Sequence, residues 1–383
     1  MSLYAYASNI DDLGKLSPAV ELICQKHASM YIKAEHYDVV GEYLLAAMKQ
    51  VLGDALTPEI AEAWGVAYWE LANIMINREK ALYDSADGWT DWRKFKIAKK
   101  VQETEEITSF YFEPLEATDG SSGKAKPLPA FKPGQYVSVK LYVPALDKLQ
   151  SRQYSLSDRP VPDYYRISVK REKGINLEDP EHAAFHPGYV SNLLHDEYKE
   201  GDTVELSHPF GDFYIEDKEA GDKDAPVVLI SAGVGLTCLT SILNDLVAKN
   251  DNRPVSFIHG ARNGKLRPFK QSLQELARSH KNVDMIFFDK TPARDAKKDE
   301  DYHYEGRLNL DVLDKEKDLY LSSKKTHYFV CGPEKFMNDV DAKLLGFGVE
   351  PERIHLELFG TGGVVRAQAL PKEEEELEKM EKK

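Results

Sequence analysis

Two glycines follow an apolar run in the second half of the chain, in a pattern that suits phosphate binding. The run reaches Ser231, and a Gly-x-Gly turn then opens a helical pattern with Gly233, Val234, Gly235, Leu236 and Thr237. Glycine lets the backbone approach a pyrophosphate closely, and the first turn of a helix offers unpaired N–H groups and the positive end of its dipole. Tight packing alone can also use such a turn, so by itself it leaves both interpretations open.

A second turn of this kind follows a later apolar run in the same segment. Cys331, Gly332 and Pro333 stand at the end of the predicted strand that begins at His327. Ligands of parallel α/β sheets bind outside the carboxyl ends of the strands, where the strand order reverses. Two glycine turns at such ends of one sheet therefore predict a dinucleotide-binding crevice.

One predicted strand carries a cation, an aromatic ring and a hydroxyl group in consecutive positions, namely Arg152, Gln153, Tyr154 and Ser155. Because side chains alternate along a strand, Arg152 and Tyr154 lie on the same face. A planar cofactor with a phosphate group needs this set: the ring stacks or forms a hydrogen bond, and the guanidinium binds the anion in bidentate geometry. A cross-strand pair on the surface is the alternative interpretation.

Two further elements favour a cofactor site. Tyr136 lies on an earlier predicted strand, 135–143, in a Gly-Gln-Tyr run, and Gly188, Val190 and Ser191 belong to a run that leads into a helix. The N-terminus of that helix is a second place where an anion can bind. The three elements together predict a site for a planar, phosphate-bearing cofactor.

Composition limits the possible classes of protein and partner. The 383 residues are 42% hydrophobic and 30% charged, which is ordinary for a folded chain of two or three domains. A net charge of −14 opposes nonspecific binding to nucleic acid and to anionic membranes. The cysteines Cys24, Cys238 and Cys331 are too few for a disulfide framework and lack zinc-site spacing. With no leader pattern and no run of about 18 apolar residues, we expect a cytoplasmic protein.

The patterning predicts a multidomain α+β fold with three domains and a tail. Residues 1–88 have a helical pattern throughout. Residues 89–222 contain short strand-like runs separated by turns, which is typical of an antiparallel β-barrel. In residues 223–365 four predicted strands, 227–231, 255–259, 283–288 and 327–331, alternate with helices, which predicts a parallel sheet covered by helices. Residues 366–383 are charge-dense, and we expect a solvated tail.

The order of these motifs resembles that of a known family. Arg-x-Tyr-Ser, Gly-x-Val-Ser, Gly-Val-Gly-x-Thr and Cys-Gly-Pro, in this order, resemble the ferredoxin–NADP reductase superfamily. The helical segment contains Gln25-Lys-His-Ala-Ser, Tyr37-Asp-Val-Val-Gly-Glu and Ile76-Asn-Arg-Glu, which narrows the resemblance to flavohaemoglobins. It extends from Tyr4 to about Gly363. It implies a partial globin-like haem domain, a barrel domain that binds FAD and an α/β domain that binds NAD(P).

The resemblance assigns roles in the helical segment. It implies that His27 is the proximal haem ligand, that Tyr37 and Glu79 form the catalytic pair behind it, and that Lys26 tunes the redox potential. A hydrogen bond from the His27 imidazole to a carboxylate would increase the electron donation of the ligand to the iron.

The sequence gives the assignment of Glu79 separate support. Glu79 follows Met75 by four residues on an apolar stripe that begins at Ile60, so its carboxylate points to the interior. A buried carboxylate needs a partner. The alternative is a peripheral Glu79 that pairs with Arg78 or Lys80.

The resemblance also assigns the reductase residues. It gives Tyr136 and residues 152–155 to FAD, and residues 233–237 to the nicotinamide nucleotide. Near the end of the chain, it implies that Phe359 lies over the flavin ring and that Glu357 lies near the haem side. Cys238 departs from the family, which usually has proline after the Gly-Val-Gly-x-Thr run.

The family activity implied is nitric oxide dioxygenation: electrons from NADPH or NADH pass through FAD to haem b, and NO and O2 become nitrate. We expect a monomer. The donor preference stays open, because Arg262, just beyond the second predicted strand of the nucleotide segment, could meet a ribose phosphate or be an ordinary surface arginine. One alternative is a flavin-dependent NAD(P)H oxidoreductase whose globin remnant binds no haem, and another is a noncatalytic haem- or NO-binding protein.

One part of the family pattern has no counterpart. Relative to the family, the sequence starts part-way along the distal helix, after the tyrosine, glutamine and phenylalanine that surround the oxygen site. We therefore expect the remaining helices to expose apolar side chains and the distal side of the haem to be open.

Overall fold

The computed structural model describes residues 6–115, 127–172, 174, 187–216 and 222–360. The predicted tail at 366–383 and the glycine-rich turn at 119–123 lie outside these ranges.

Three long helices make up the first part of the chain, as the pattern predicts: α1 (Ser17–Ala28), α2 (Ala34–Leu52) and α3 (Pro58–Asp84). Helix α3 begins as its sequence indicates, with proline in the first turn and the Thr57 hydroxyl accepting a hydrogen bond from the Ile60 N–H group at 3.4 Å.

The buried stripe of α3 differs from the predicted one at its start. Ile60 is 43% exposed, and the buried positions run from Ala67 through Met75 and Glu79 to Leu82. The reason is where α1 packs: the Cys24 thiol reaches the Met75 carbonyl at 3.8 Å, in the second half of α3. As expected, these helices also expose apolar side chains, including Tyr43, Val51 and Val66 at 66–83% exposure.

A six-stranded antiparallel sheet forms the middle of the chain, in the order β4-β3-β6-β1-β2-β5. An antiparallel bridge between Leu156 and Ile167 joins the ends of the two outer strands, so the sheet curls into the predicted barrel. A short helix, α4 (Tyr189–Asp196), lies between the last two strands. The strands are β1 (Arg93–Gln102), β2 (Ile107–Pro114), β3 (Tyr136–Val143), β4 (Lys148–Ser155), β5 (Tyr165–Lys170) and β6 (Thr203–Leu206).

A six-stranded parallel sheet follows, in the order β10-β9-β8-β7-β11-β12. The order reverses between β7 and β11, which are the two strands that lead into the glycine turns. Four of these strands were predicted, and the short β10 and β12 were not. The strands are β7 (Val227–Ala232), β8 (Val255–Ala261), β9 (Val283–Asp289), β10 (Tyr304–Glu305), β11 (His327–Cys331) and β12 (Ile354–Glu357), and the helices are α5 (Leu236–Ala248), α6 (Lys270–Ser279) and α7 (Glu334–Gly346).

The three parts of the chain pack against one another. Tyr136 and Phe210 from the barrel belong to the same buried cluster as Cys24 and Ala28 of α1. On the other side of the barrel, Asp158 accepts hydrogen bonds from α5. No helix in the described ranges is long and apolar enough to cross a membrane.

Candidate functional site

One side chain from each of the three long helices meets at a single point. The Nδ1 atom of His27, in the last turn of α1, lies 2.8 Å from Oε1 of Glu79 on α3 and 3.0 Å from the hydroxyl of Tyr37 on α2. The Tyr37 hydroxyl donates to the same Glu79 oxygen at 2.6 Å. Glu79 is 2% exposed, so its carboxylate depends on these two donors in place of water.

This arrangement fixes the orientation and tautomer of the imidazole. With Nδ1–H donated to the carboxylate, Nε2 carries the free lone pair that a metal requires. The His27 side chain is 30% exposed, so the ring retains an accessible surface. Burial, followed by the hydrogen bond with Glu79, raises the pKa of Tyr37, which therefore stays a neutral donor. The residues thus fit a haem iron, which His27 would ligate through Nε2.

The alternative of a peripheral Glu79 does not match the geometry. Arg78 forms two hydrogen bonds of 2.6 Å with Glu21, and Lys80 pairs with Asp84 at 2.6 Å. Both basic neighbours of Glu79 therefore point to other carboxylates. The Glu79 carboxylate instead accepts hydrogen bonds from His27 and Tyr37.

Beside His27, the end of the described chain meets α1. The Lys26 ammonium group donates to the Gly360 carbonyl at 2.6 Å. Glu357, the last residue of β12, is 7% exposed. Burial and the Asp212 carboxylate raise the pKa of Glu357 to about 8, against the opposing effect of Lys26. Phe359, two residues after Glu357, is 43% exposed.

Asp212 was missed by the sequence analysis. Asp212 is exposed as a residue, but partial desolvation of its carboxylate raises the pKa of Asp212, and Lys26 opposes this shift. Its position depends on a contact between distant parts of the chain: the neighbouring Gly211 N–H group donates to the Gln25 side chain on α1 at 2.9 Å. No local pattern signals such a contact between the barrel and the helices.

The buried Glu357 makes stability depend on pH. A carboxyl whose folded pKa of about 8 exceeds the ordinary 4.5 keeps its proton while the unfolded chain loses its own. Its contribution to stability is therefore complete below pH 4.5 and is lost as the pH rises to about 8. We expect Glu357→Gln to raise the free energy of unfolding at pH 8 relative to wild type by roughly 2 to 4 kcal/mol, with little change at pH 4.5.

Chemical denaturation at the two pH values measures this difference. The matched control is Glu352→Gln, because Glu352 is an exposed carboxylate on the same segment. Equal effects of Glu357→Gln at both pH values would contradict the prediction.

The predicted flavin strand is β4, next to β3. Tyr136 lies opposite Ser155 in the register, and Tyr154 lies opposite Val137. Arg152 is exposed and donates to the Ser151 carbonyl at 2.7 Å, and within the described ranges it has no carboxylate partner.

Its neighbours on the strand and at the start of β3 are more enclosed. Tyr154 is partly buried, and Tyr136 is 5% exposed. By the register, Tyr154 and Arg152 share one face of β4, whereas Tyr136 lies on the other face of the strand pair. The ring of Tyr154 with the cation of Arg152 fits a flavin and its phosphates. Gln153 has a different environment, because its amide donates to the Ser29 hydroxyl at the end of α1 at 2.7 Å, and so links barrel and helices.

The start of α4 borders an open cavity of about 700 Å³. Gly188 and Asn192 line one side, and Val143 and Pro144, at the turn after β3, line the other. Val190 points the other way and is buried in the barrel core at 1% exposure. Ser191 supports the turn itself, since its hydroxyl donates to the Gly188 carbonyl at 3.2 Å. The cavity can accept part of a nucleotide near the helix N-terminus.

We expect Arg152→Ala to weaken FAD retention by about 10- to 100-fold, since a charge-assisted hydrogen bond contributes about 1.5–3 kcal/mol. Titration of the apoprotein with FAD, followed by flavin fluorescence, measures the dissociation constant. Arg159→Ala is the matched control, because Arg159 is an exposed arginine shortly after the same strand. If both variants retain FAD equally well, Arg152 is not a phosphate ligand.

The two glycine turns of the parallel sheet touch each other. A β-carbon at Gly235 would lie 2.3 Å from the Cys331 carbonyl oxygen, and one at Gly332 would lie 2.6 Å from the Phe336 ring. Gly233 has φ +58°, in the left-handed region that favours glycine. The ends of β7 and β11 therefore form one narrow crevice that other residues could not build.

The residues that follow these turns are packed against the core and stabilise the turns through hydrogen bonds. Leu236 and Thr237 are buried, and the Thr237 hydroxyl donates to the Val234 carbonyl at 3.0 Å. Cys238, at the position where the family usually has proline, closes the turn with its thiol directed to the Gly235 carbonyl at 3.4 Å. Pro333 immediately precedes α7. The departure at Cys238 therefore leaves the helix start intact.

Comparison with known proteins agrees with this architecture. Residues 2–75 match the model of the globin family, and residues 229–342 match the oxidoreductase NAD-binding domain. A flavohemoprotein of Bordetella parapertussis is 44% identical over 365 residues, which cover 94% of this chain and 84% of that protein. The flavohemoprotein of Bacillus subtilis is 40% identical over 363 residues, covering 94% and 83%.

Solved structures show the same relationship. The crystal structure of flavohemoglobin from Malassezia yamatoensis with bound FAD and heme matches with a TM-score of 0.73 and 29% identity, covering 90% of this chain and 80% of that one. The FAD/NAD-binding domain of nitric oxide dioxygenase from Vibrio cholerae matches with a TM-score of 0.57 and 32% identity, covering 70% and 99%. The chain, a globin-type helical part followed by an oxidoreductase, belongs to the flavohemoprotein family.

Proposed function

We propose that this protein is a nitric oxide dioxygenase, which uses electrons from NADH or NADPH to convert NO and O2 to nitrate. The observation that carries the proposal is the site formed by His27, Glu79 and Tyr37, which lies in one chain with the flavin strand and the nucleotide crevice. The Lys26–Gly360 contact joins the haem side to the segment that follows the nucleotide sheet. The related Vibrio protein is named a nitric oxide dioxygenase.

The chain's own residues bind and orient three redox groups. When bound, these groups supply hydride transfer, single-electron transfer and oxygen chemistry. In the helical part, His27 would ligate the haem iron, and Glu79 and Tyr37 would increase its electron donation through Nδ1. In the barrel, Tyr136, Tyr154 and the other residues of the Arg-x-Tyr-Ser strand would hold FAD, with the start of α4 facing the nucleotide part.

In the last part, the crevice between the two glycine turns would hold the nicotinamide nucleotide. Gly233–Thr237 would face the pyrophosphate, and Cys331–Pro333 would border the nicotinamide. Phe359 would cover the flavin ring. Glu357, protonated near neutral pH, would lie between flavin and haem without adding a buried charge.

We place the domain boundaries of this enzyme at 1–88, 89–222 and 223–365, followed by the tail at 366–383. The first boundary falls between the end of α3 and the start of β1, and the second falls just before β7. We also propose that the enzyme is a cytoplasmic monomer. The net charge of −14 agrees with a monomer, because copies of this chain repel one another.

Absorption spectra and NO consumption of the purified, cofactor-loaded protein test the function. We expect a Soret band, flavin absorbance, and NO removal that needs both O2 and NADH or NADPH and yields nitrate. Flavin absorbance with dye reduction, but without a Soret band after haem addition, would instead assign the chain to flavin-dependent oxidoreductases. Haem without flavin would indicate a binding protein.

A further inference from the structure

Arg262 occupies a position at which parallel nucleotide-binding sheets contact the ribose of a dinucleotide. Arg262 directly follows β8, the neighbour of β7, so it emerges at the carboxyl edge beside the Gly-x-Gly turn. At this place in dinucleotide-binding sheets an acidic residue binds the 2′-hydroxyl of NADH, whereas an arginine accommodates the 2′-phosphate of NADPH. The Arg262 carbonyl accepts the Thr291 N–H group at 2.9 Å, which fixes the backbone. By charge alone, the site favours NADPH.

The guanidinium group of Arg262, however, is already paired with a carboxylate from another part of the chain. It forms an ion pair with Glu106, which lies in the turn between β1 and β2 of the barrel. The backbone of Glu106 is held on both sides: its N–H group donates to Thr104 Oγ1 at 3.2 Å, and its carbonyl accepts from the Arg171 N–H group at 2.7 Å. The carboxylate is therefore presented to Arg262 by a fixed turn.

The environments of the two partners are unequal. The Glu106 side chain is 17% exposed, and that of Arg262 is 62% exposed. Arg262 can therefore reach solvent or a ligand, whereas Glu106 is partly removed from water and depends more strongly on its partner. A phosphate that binds Arg262 must compete with this carboxylate for the guanidinium donors, and it also meets a like charge. NADH has no such phosphate and needs none of these donors.

We propose that Glu106 is a specificity-determining residue, which holds Arg262 in an interdomain ion pair and thereby weakens NADPH relative to NADH. The inference rests on the proposed use of a nicotinamide nucleotide as electron donor. According to this proposal, Glu106 of the flavin barrel helps to determine whether the nucleotide domain uses NADH or NADPH. No residue next to the Gly-x-Gly turn in sequence would reveal this role.

Glu106→Gln tests the proposal, because it keeps the size of the side chain and removes its charge. Calorimetric titration of the FAD-loaded protein with NADP⁺ and with NAD⁺ gives the two dissociation constants. We expect the constant for NADP⁺ to fall about fivefold, which corresponds to ~1 kcal/mol, while that for NAD⁺ changes less than about twofold. Stopped-flow reduction of FAD by NADPH and NADH should change in the same sense. Adding Arg262→Ala to Glu106→Gln should cancel the gain.

Asn244→Ala is the matched control for a general loosening of the interface. Asn244 on α5 donates to Asp158 of the barrel at 2.9 Å, so it also joins the two parts but carries no charge at the exit of β8. We expect it to affect both nucleotides alike. The proposal is overturned if Glu106→Gln leaves the ratio of the two constants unchanged, or if Asn244→Ala changes the ratio as much. Neither readout uses NO or haem, so a failure of the dioxygenase proposal would be recognised separately.

Discussion

Replacing His27 by alanine is expected to remove haem and to abolish NO consumption, while NADH or NADPH still reduces the flavin. Even the loss of a residue that only supports a metal ligand costs about 10- to 100-fold in affinity or activity, so loss of the ligand should exceed about 100-fold. The His27 side chain is 30% exposed, and in the described part of the chain its polar contacts are with Glu79 and Tyr37, so the substitution should not disturb the barrel. The Soret absorbance measures haem content, the rate of NO removal measures the dioxygenase activity, and the rate of ferricyanide reduction measures electron transfer from the flavin.

His36→Ala is the control for this experiment. His36 is exposed at the start of α2, where its Nδ1 accepts the Lys33 N–H group at 2.9 Å, away from the cluster. It should retain haem and activity. An unchanged Soret band in the His27→Ala variant would falsify the ligand assignment and would leave the helices without a defined haem site.

Glu79→Gln supplies a graded version of the same experiment. The amide can still accept a hydrogen bond from Nδ1, but it cannot stabilise imidazolate character as a carboxylate does. We expect haem to be retained and its reduction potential to rise, because the ligand donates less electron density to the ferric iron. Potentiometric titration separates this outcome from a merely structural role of Glu79, which would change haem content without changing the potential.

The sequence could predict those parts of the fold whose signals are local. The helical pattern of the first part and the glycine turns that end β7 and β11 depend on neighbouring residues, and the structure has them as expected. The strand β10 contains two residues, which is too short for an alternating pattern to appear, and β12 contains only four. Their pairing depends instead on the neighbouring strands β9 and β11.

What could not be predicted depends on contacts between distant parts of the chain. The start of the buried stripe on α3 is set by where α1 packs, so Ile60 remains exposed although it fits the period. Asp212 and Glu106 look like ordinary surface acids in the sequence. The Asp212 carboxylate acts on the pKa of Glu357, and Glu106 faces Arg262 across two domains. Which charges meet is a property of the assembled fold, and no single segment encodes it.

The narrowness of the nucleotide crevice leads to the second large expected effect. Gly235→Ala should slow the reduction of FAD by NADH and NADPH by about 100-fold, since a displacement of about 1 Å near the reacting groups can cost that much. The new β-carbon would lie 2.3 Å from the Cys331 carbonyl oxygen, 2.5 Å from the Cys331 carbonyl carbon and 2.8 Å from the Gly332 nitrogen. All three are backbone atoms, so no side chain can rotate away, and the two turns must separate.

The cause of this effect is steric, which makes the prediction easy to test. Gly235 has φ −62°, a value that alanine adopts without strain, so any loss must come from the contact with the second turn. Gly346→Ala, at the end of α7, is the matched control, because a β-carbon there meets no atom within 4 Å. Stopped-flow reduction of the flavin measures the rate, and circular dichroism checks that both variants are folded. If folded Gly235→Ala protein accepts hydride at the wild-type rate, the nicotinamide does not bind between these turns.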